Sequence, residues 1–492
     1  TLVGYVAGGA ITTGDANTFI GSDCGDATTT ASNNVGVGQN AMGANTTGYD
    51  NVAVGRNALD ANTDGHSNTA LGESALGGNT TGDRNIAIGQ NAMAVNTTGG
   101  ENVAIGRNAL DANVTASSNV AIGDSALTSA VNRLGNTAVG FNAARDLNTT
   151  GVVAIGYKAM ESSTTAYDSV AVGVHSMKDT STGTQNTAVG YNSMSANTTG
   201  ANNVAVGNTA LGGNTTGSGN VVMGVVAKQS NGGSNCVAVG FQSQRYATNS
   251  DNTSVGYYSL RVSTGANNVA LGYAALDANT TGSGNVAVGK DAGGAITTGA
   301  NNICMGISSG DTLTTGSGNV IIGNTARPSA AGGTNQIAIG EVATCVGNDN
   351  FTFGSQGTDS NIAFGATSIT APSDIRLKED IQDEEIGLNF INDLRPVTFL
   401  WKKEKDIPSH FDSYKEGSEE RTMNGKHNHG FIAQEVKATI DAHNLKDGFE
   451  MWQENESDGR QRVAPAALMS VMVKAVQELS AKVEELEEKL NG

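Results

Sequence analysis

One glycine recurs along most of this 492-residue chain at an almost constant interval, and that interval constrains the fold more than any other feature. It stands at Gly4, Gly21, Gly38, Gly55 and onward to Gly340, giving twenty intervals, sixteen of 17 residues and four of 16. It closes a short motif, Asn-Val-Ala-Val-Gly, seen at Asn51–Gly55, Asn102–Gly106, Asn203–Gly207 and Asn285–Gly289. Helical repeats need about 30 residues or more, so a period of this length admits only short strands and turns. The economical fold is a mainly β structure, a parallel β-solenoid with one coil per repeat. Stacked at roughly 4.8 Å per coil, the coils predict a rod on the order of 100 Å long over residues 1–345.

Within a coil, Val52 and Val54 point to one side and Ala53 to the other. Asn57-Ala58-Leu59 supplies a second apolar segment, and Ala61-Asn62-Thr63-Asp64-Gly65 reads as a turn. The expectation is two strands of about four or five residues per coil. Large side chains are scarce, with 11 Phe, 10 Tyr and 2 Trp against 66 Gly. One coil therefore buries little, and the flat face bearing Ala53 or Gly36 suits close approach of another chain. Homotrimerisation would bury what a thin coil leaves open. The recurring Asn45-Thr46-Thr47-Gly48 turn predicts polar ladders along one edge. Their bland role is to satisfy backbone groups at the bend; the alternative is a regular array that binds sugars or ice.

These units resemble the head repeats of trimeric autotransporter adhesins, carried here by the Asn-Val-Ala-Val-Gly motif. The resemblance implies a left-handed β-roll of three chains. The Asn-Thr-Thr-Gly turns make these coils longer than the family's usual units, and the membrane-anchoring barrel of those adhesins has no counterpart at this C-terminus.

Composition divides the chain. Residues 1–373 hold 34 charged side chains and residues 374–492 hold 41 in a third of that length, with both tryptophans, Trp401 and Trp452. That step marks a domain boundary after a transition segment at 346–372. The net charge of −19 argues against nucleic acid as partner, and no apolar run is long enough to insert in a membrane. The first residue is Thr rather than Met, which predicts a fragment or a processed chain. Cys24, Cys236, Cys304 and Cys345 fit no metal spacing and read as buried free thiols. No cofactor or metal is predicted; His427 and His429 lie two apart, but Glu435 is the nearest acid and structural roles suffice.

The terminal region, 373–492, carries Ser373-Asp374-Ile375-Arg376-Leu377-Lys378, then Leu394-Arg395-Pro396-Val397-Thr398-Phe399-Leu400-Trp401, then Gly430-Phe431-Ile432-Ala433-Gln434-Glu435. It ends in a helix predicted at about 465–490, whose Leu468, Met472, Ala475, Leu479, Val483, Leu486 and Leu490 form a coiled-coil seam. In this order the segments resemble the C-terminal intramolecular chaperone of phage endosialidases, tailspikes and tail fibres. That resemblance implies a small α+β domain that trimerises, templates folding of the preceding stalk, and in most members cuts itself off. Carried over, Ser373 is the nucleophile, Lys378 the general base and Ser373–Asp374 the scissile bond. A serine needs such a base, and a lysine can serve only when burial or neighbouring positive charge lowers its pKa. Attack by Ser373 on its own carbonyl would require a four-membered ring, whereas attack on the Pro372 carbonyl would be an ordinary N-to-O shift. The cut therefore precedes Ser373, or the attacking group comes from strained geometry or another chain.

The function expected is a trimeric viral tail fibre, located on the virion, that contacts a host cell-surface glycan or protein receptor. Its only enzymatic activity would be a single self-cleavage. A bacterial adhesin with the same chaperone is an alternative. A glycan-depolymerising tailspike fits less well, because paired carboxylates about 5–10 Å apart in an aromatic cleft are not apparent.

Overall fold

The computed structural model describes the chain except residues 356–357, 367–368, 371–372, 374, 376–377, 412, 424, 446–448, 450, 455–458 and 492. It forms two compact units, Thr1–Pro372 and Ser373–Gly492. The first is a parallel β-solenoid. Strand β1 (Leu2–Val3) starts one sheet whose parallel strands, β2 (Thr18–Ile20) to β22 (Asn350–Phe353), each pair with the strand one coil before and one coil after. Register is strict: Val52, Ala53 and Val54 oppose Thr69, Ala70 and Leu71. The segment read as a transition carries the last parallel strand and β23 (Ser360–Ala363), which pairs antiparallel with β22.

Two expectations are corrected. Each coil holds one strand, of three residues in most coils, and not two. The segment Asn57-Ala58-Leu59 is a turn because Asn57 (φ 55°) and Leu59 (φ 53°) both adopt left-handed backbone, which cannot continue an extended strand. The alanine face is also the interior, not a face open to another chain. Ala53 and its counterparts Ala70, Ala87 and Ala104 are fully buried within the chain's own coils, while Val52 is 37% exposed. Most coils leave room for only a methyl group between the strand and the facing turn, so the larger residues of the alternating set are mostly turned outward.

The closing glycine is required by this stacking. At Gly55, φ is 139°, and a Cβ would stand 2.4 Å from the carbonyl oxygen of Gly72 in the next coil. Behind the strand, Ala58 and Leu59 complete a thin core. Its volume is conserved by exchange: Leu59 with Asn62 becomes Gly293 with Ile296, or Gly310 with Leu313, so an apolar group at one site offsets glycine at the other. Phe19 fits the alanine column because Gly25 and Gly36 leave room for its ring.

Two columns of buried asparagine run along the solenoid. In the turn column, Asn79 Nδ2 donates to Asn62 Oδ1 (2.8 Å) and to the Gly82 carbonyl (2.9 Å), while its own Oδ1 accepts from Asn96 (2.9 Å). The second column is formed by the first residue of the motif. Asn68 Nδ2 donates to the Gly82 carbonyl (2.9 Å), and its Oδ1 accepts from the backbone N–H of Asn85 (3.0 Å). Beside them Thr46, Thr63 and Thr80 donate in turn to the carbonyl one coil on. The turn column ends where the next coil lacks an amide: Ala130 follows Asn113 and Ile296 follows Asn279, and Asn113 Oδ1 and Asn279 Oδ1 are left without a donor.

The core changes character midway. Buried apolar residues form one cluster up to Ala238 and another from Leu260. Between them the leucine column carries Lys228 and Gln244, both fully buried. Lys228 Nζ donates to the carbonyls of Gly232 (3.0 Å) and Ala247 (3.4 Å). Gln244 Nε2 donates to Val237 O (2.8 Å). Ser243 meets Ser254 and Ser259 beside them. All four cysteines are free and buried, and burial pushes the Cys304 thiol up to about 12.

Two stability predictions follow from these ladders and this buried amine. Asn79→Ala removes three hydrogen bonds and strands buried partners, costing about 3 kcal/mol. Asn113→Ala costs about 1–2 kcal/mol less, because its own carbonyl oxygen already lacks a donor. Urea unfolding of the two variants checks the order. Burial lowers the pKa of Lys228 below its ordinary 10.5, so the folded state opposes protonation. The resulting penalty is complete below the folded-state value and vanishes as pH rises past the unfolded one. Lys228→Met is therefore expected to raise the thermal midpoint at neutral pH, with a gain that shrinks as pH approaches 10.5; a gain growing with pH contradicts the assignment.

Candidate functional site

The second unit is a small α+β domain. Helix α1 (Leu388–Asp393) is followed by β24 (Val397–Phe399), which pairs antiparallel with β25 (Asn428–Gly430). Helix α2 (Ala433–Ala442), the hairpin β26 (Trp452–Glu454) with β27 (Gln461–Val463), and helix α3 (Leu468–Asn491) complete it. Phe390 from α1, Val436 and Ile440 from α2, and Leu468 and Val471 from α3 build its core with Leu394 and Met451. Each helix thus buries one stripe in a shared interior. Glu478 of α3 accepts the Leu388 N–H at 2.8 Å and fixes the start of α1, whose Gly387 cap offers no side-chain oxygen. Arg395 and Glu435 pair around the end of β24, through Arg395 Nε at 2.9 Å, and this holds the Glu435 carboxyl below its usual range.

The resemblance-derived site lies at the start of this unit. Lys378 Nζ donates to Ser373 Oγ at 2.8 Å, the two side chains being brought together across a short turn in which the Lys378 N–H meets the Ile375 carbonyl (3.2 Å). This separation allows direct proton transfer between hydroxyl and amine. Both residues are exposed. Asp374, on the far side of the Ser373–Asp374 bond, lies outside the described residues, as do Pro372, which precedes Ser373, and Arg376. His429 lies on β25 with an exposed side chain, and no group of three His, Cys, Asp or Glu able to hold a metal is found among the described residues. No described helix is long and apolar enough to cross a membrane.

In α3, the predicted seam splits. Leu468 and Ala475 are buried against the domain's own core, whereas Met472, Leu479, Val483, Leu486 and Leu490 are exposed. The last four turns therefore present an apolar stripe without a partner among the described residues. Sequence reasoning missed the corresponding stripe of the solenoid, formed by the Val and Ile residues on either side of each buried alanine. Alternation had separated the two faces, but only the position of the facing turn shows which is outside.

Comparison with known proteins gives this domain a description. Residues 373–445 match the family of the chaperone of endosialidase. The match begins at Ser373 and ends just after α2, so it includes the Ser373–Lys378 pair and stops before β26, β27 and α3. The comparison with curated proteins returns no match, and neither does the comparison with solved structures.

Proposed function

We propose that the chain is a self-templating trimeric fibre of the tail-fibre or tailspike kind, whose solenoid is a receptor-binding shaft and whose terminal domain is its folding chaperone. The observation that carries this reading is the outward Val and Ile stripe. It repeats coil after coil, from Ile20 through Val52, Ile86, Ile155 and Val204 to Ile339, each about two-fifths exposed. Exposed apolar patches of this extent mark interaction surfaces. A partner that follows the stripe over its whole length needs the same axial repeat, and a second copy of the chain has it. Three copies close a ring around a shared apolar centre. The exposed stripe of α3 offers the same mode of association, a parallel coiled coil, at the other end.

The chaperone role follows from the repeat. Sliding one chain by a single coil exchanges Val for Val or Thr along most of the stripe and loses little besides end contacts. A domain that trimerises first removes the slipped alternatives, and the match at 373–445 supports this assignment. Release of the domain by Ser373 and Lys378 would then leave the shaft kinetically trapped, its template gone. The hydroxyl–amine contact of 2.8 Å supports a Ser/Lys pair. A base lysine requires burial or neighbouring positive charge, and in this exposed segment we assign both to the neighbouring chains of the trimer. Cleavage is thereby tied to completed assembly.

Purified wild-type chain, incubated and run denatured, is expected to yield two fragments, with mass spectrometry fixing the side of Ser373 on which the bond breaks. Ser373→Ala is expected to remain intact and Lys378→Met to be slowed at least about a hundredfold. A wild-type band as intact as that of Ser373→Ala sinks the self-cleavage assignment. Val204→Lys with Val52→Lys is expected to abolish trimers in analytical ultracentrifugation, and a chain truncated after Ser373 is expected to aggregate or assemble out of register. Well-formed trimers from the truncated chain refute templating.

A further inference from the structure

Departures from the repeat gather in one stretch of the solenoid. Three of the four 16-residue intervals are consecutive, from Gly224 to Gly272. The core interruption at Lys228, Ser243 and Gln244 falls inside them. Places where a repeat breaks its own rules are where function is to be sought. At the start of this stretch, where its first coils meet the two regular coils before them, the surface carries a groove of about 410 Å³, within the range of small-molecule sites.

Its floor is the pair Gly212–Gly213. A Cβ on Gly213 would lie 2.2 Å from the Gln229 carbonyl oxygen, so this part of the floor cannot carry a side chain. The same pair occurs at Gly77–Gly78, where the next coil supplies only Ala94 and Val95. Above Gly212–Gly213 the following coils supply Gln229, Ser230 and the half-exposed ring of Tyr246. Thr209 lines the groove from the same coil and Asn192 from the coil before, and the Asn192 carboxamide has no hydrogen-bond partner among the described residues.

Arg245 completes the site. Its guanidinium lies 4.8 Å from the Tyr246 ring centroid, and its Nε donates to Gln229 Oε1 (3.3 Å). The arginines at 56, 84, 107, 145, 261 and 327 each pair with a carboxylate. Arg245, like Arg133, meets none among the described residues, so an uncompensated cation sits at the groove in a chain of net charge −19. A separate column of rings starts on the Tyr246 coil: Phe241 stacks on Tyr257 at 5.1 Å and Tyr257 on Tyr273 at 5.3 Å.

We propose that this groove binds an acidic saccharide, with a sugar ring against Tyr246, its carboxylate on Arg245 and its hydroxyls on Asn192 and Gln229. A pyranose has an apolar C–H face and a polar rim, and the groove offers one aromatic wall among amides and hydroxyls. A peptide would require apolar side-chain pockets, which these walls lack. A planar guanidinium beside the ring suits a carboxylate in two-point contact. The inference rests on the receptor-binding reading above and gives it a place and a ligand class.

The test is calorimetric titration of the full chain with tetragalacturonate and, for comparison, neutral cellotetraose. Wild-type protein is expected to bind the uronate and to prefer it. Tyr246→Ala is expected to weaken binding of both at least about tenfold, and Arg245→Gln to abolish the preference while leaving the thermal midpoint unchanged. Tyr49→Ala, on a distant coil, is expected to bind as wild type does. Uronate binding that survives both groove substitutions overturns the site and leaves the receptor reading standing. Wild-type protein that binds neither probe, yet adsorbs to host cells, overturns the saccharide class alone. Failure in both assays overturns the two together.

Discussion

The whole solenoid depends on one coil lying flat on the next at the closing glycine. There the backbone of Gly55 and Gly72 approach so closely that no side chain fits, and the parallel hydrogen bonds on either side are made at full strength because of it. Everything else is arranged around that approach. A three-residue strand is all the chain can extend before left-handed residues turn it. The coil is therefore too narrow for anything larger than alanine opposite leucine or methionine. A core this thin has little apolar area per residue, and buried amides do much of the remaining work. The asparagine columns bind each coil to the next through side chain as well as backbone, and the breaks after Asn113 and Asn279 each leave an acceptor without a donor.

Thinness has a consequence for assembly. Because the interior takes only the small member of each alternating pair, the larger one is displaced to the surface in every coil. A fold that cannot bury its own valines and isoleucines leaves a periodic apolar surface, and the trimer proposed above covers it with a partner of the same period. The near-identity of the coils that makes such a partner possible also makes it ambiguous in register. A separate domain with a heterogeneous core of Phe390, Leu394, Val436 and Met451 has no such ambiguity, which is the physical case for placing a chaperone beside a repeat.

The irregular stretch between Gly224 and Gly272 is the counterpart of this regularity. Shortened coils, a buried lysine and a core of serine and glutamine cost stability that the ladder elsewhere can offset. The same coils bear Tyr246, Arg245 and the stacked Phe241 and Tyr257, so the regular coils serve as scaffold and the irregular ones carry individuality.

Much of this was legible in the residues. The period set a parallel solenoid with one coil per repeat, the composition step marked a second unit, and the spacing of Leu468 to Leu490 set a terminal helix, because each depends on local periodicity alone. The Ser373 and Lys378 pairing was reachable only through a resemblance, since two polar residues five apart in a charged segment carry no signal of contact. Which face of the strand is inside was not legible, because alternation is symmetric and only the opposing turn breaks the symmetry. Nor was the second apolar segment's conformation: Asn57 tolerates left-handed backbone, but Leu59 gives no sign in its identity of the left-handed backbone that stacking imposes on it. The groove at Gly212–Gly213 belongs to the same category: its residues come from four successive coils, and distance along the chain hides what the stacking of coils brings together.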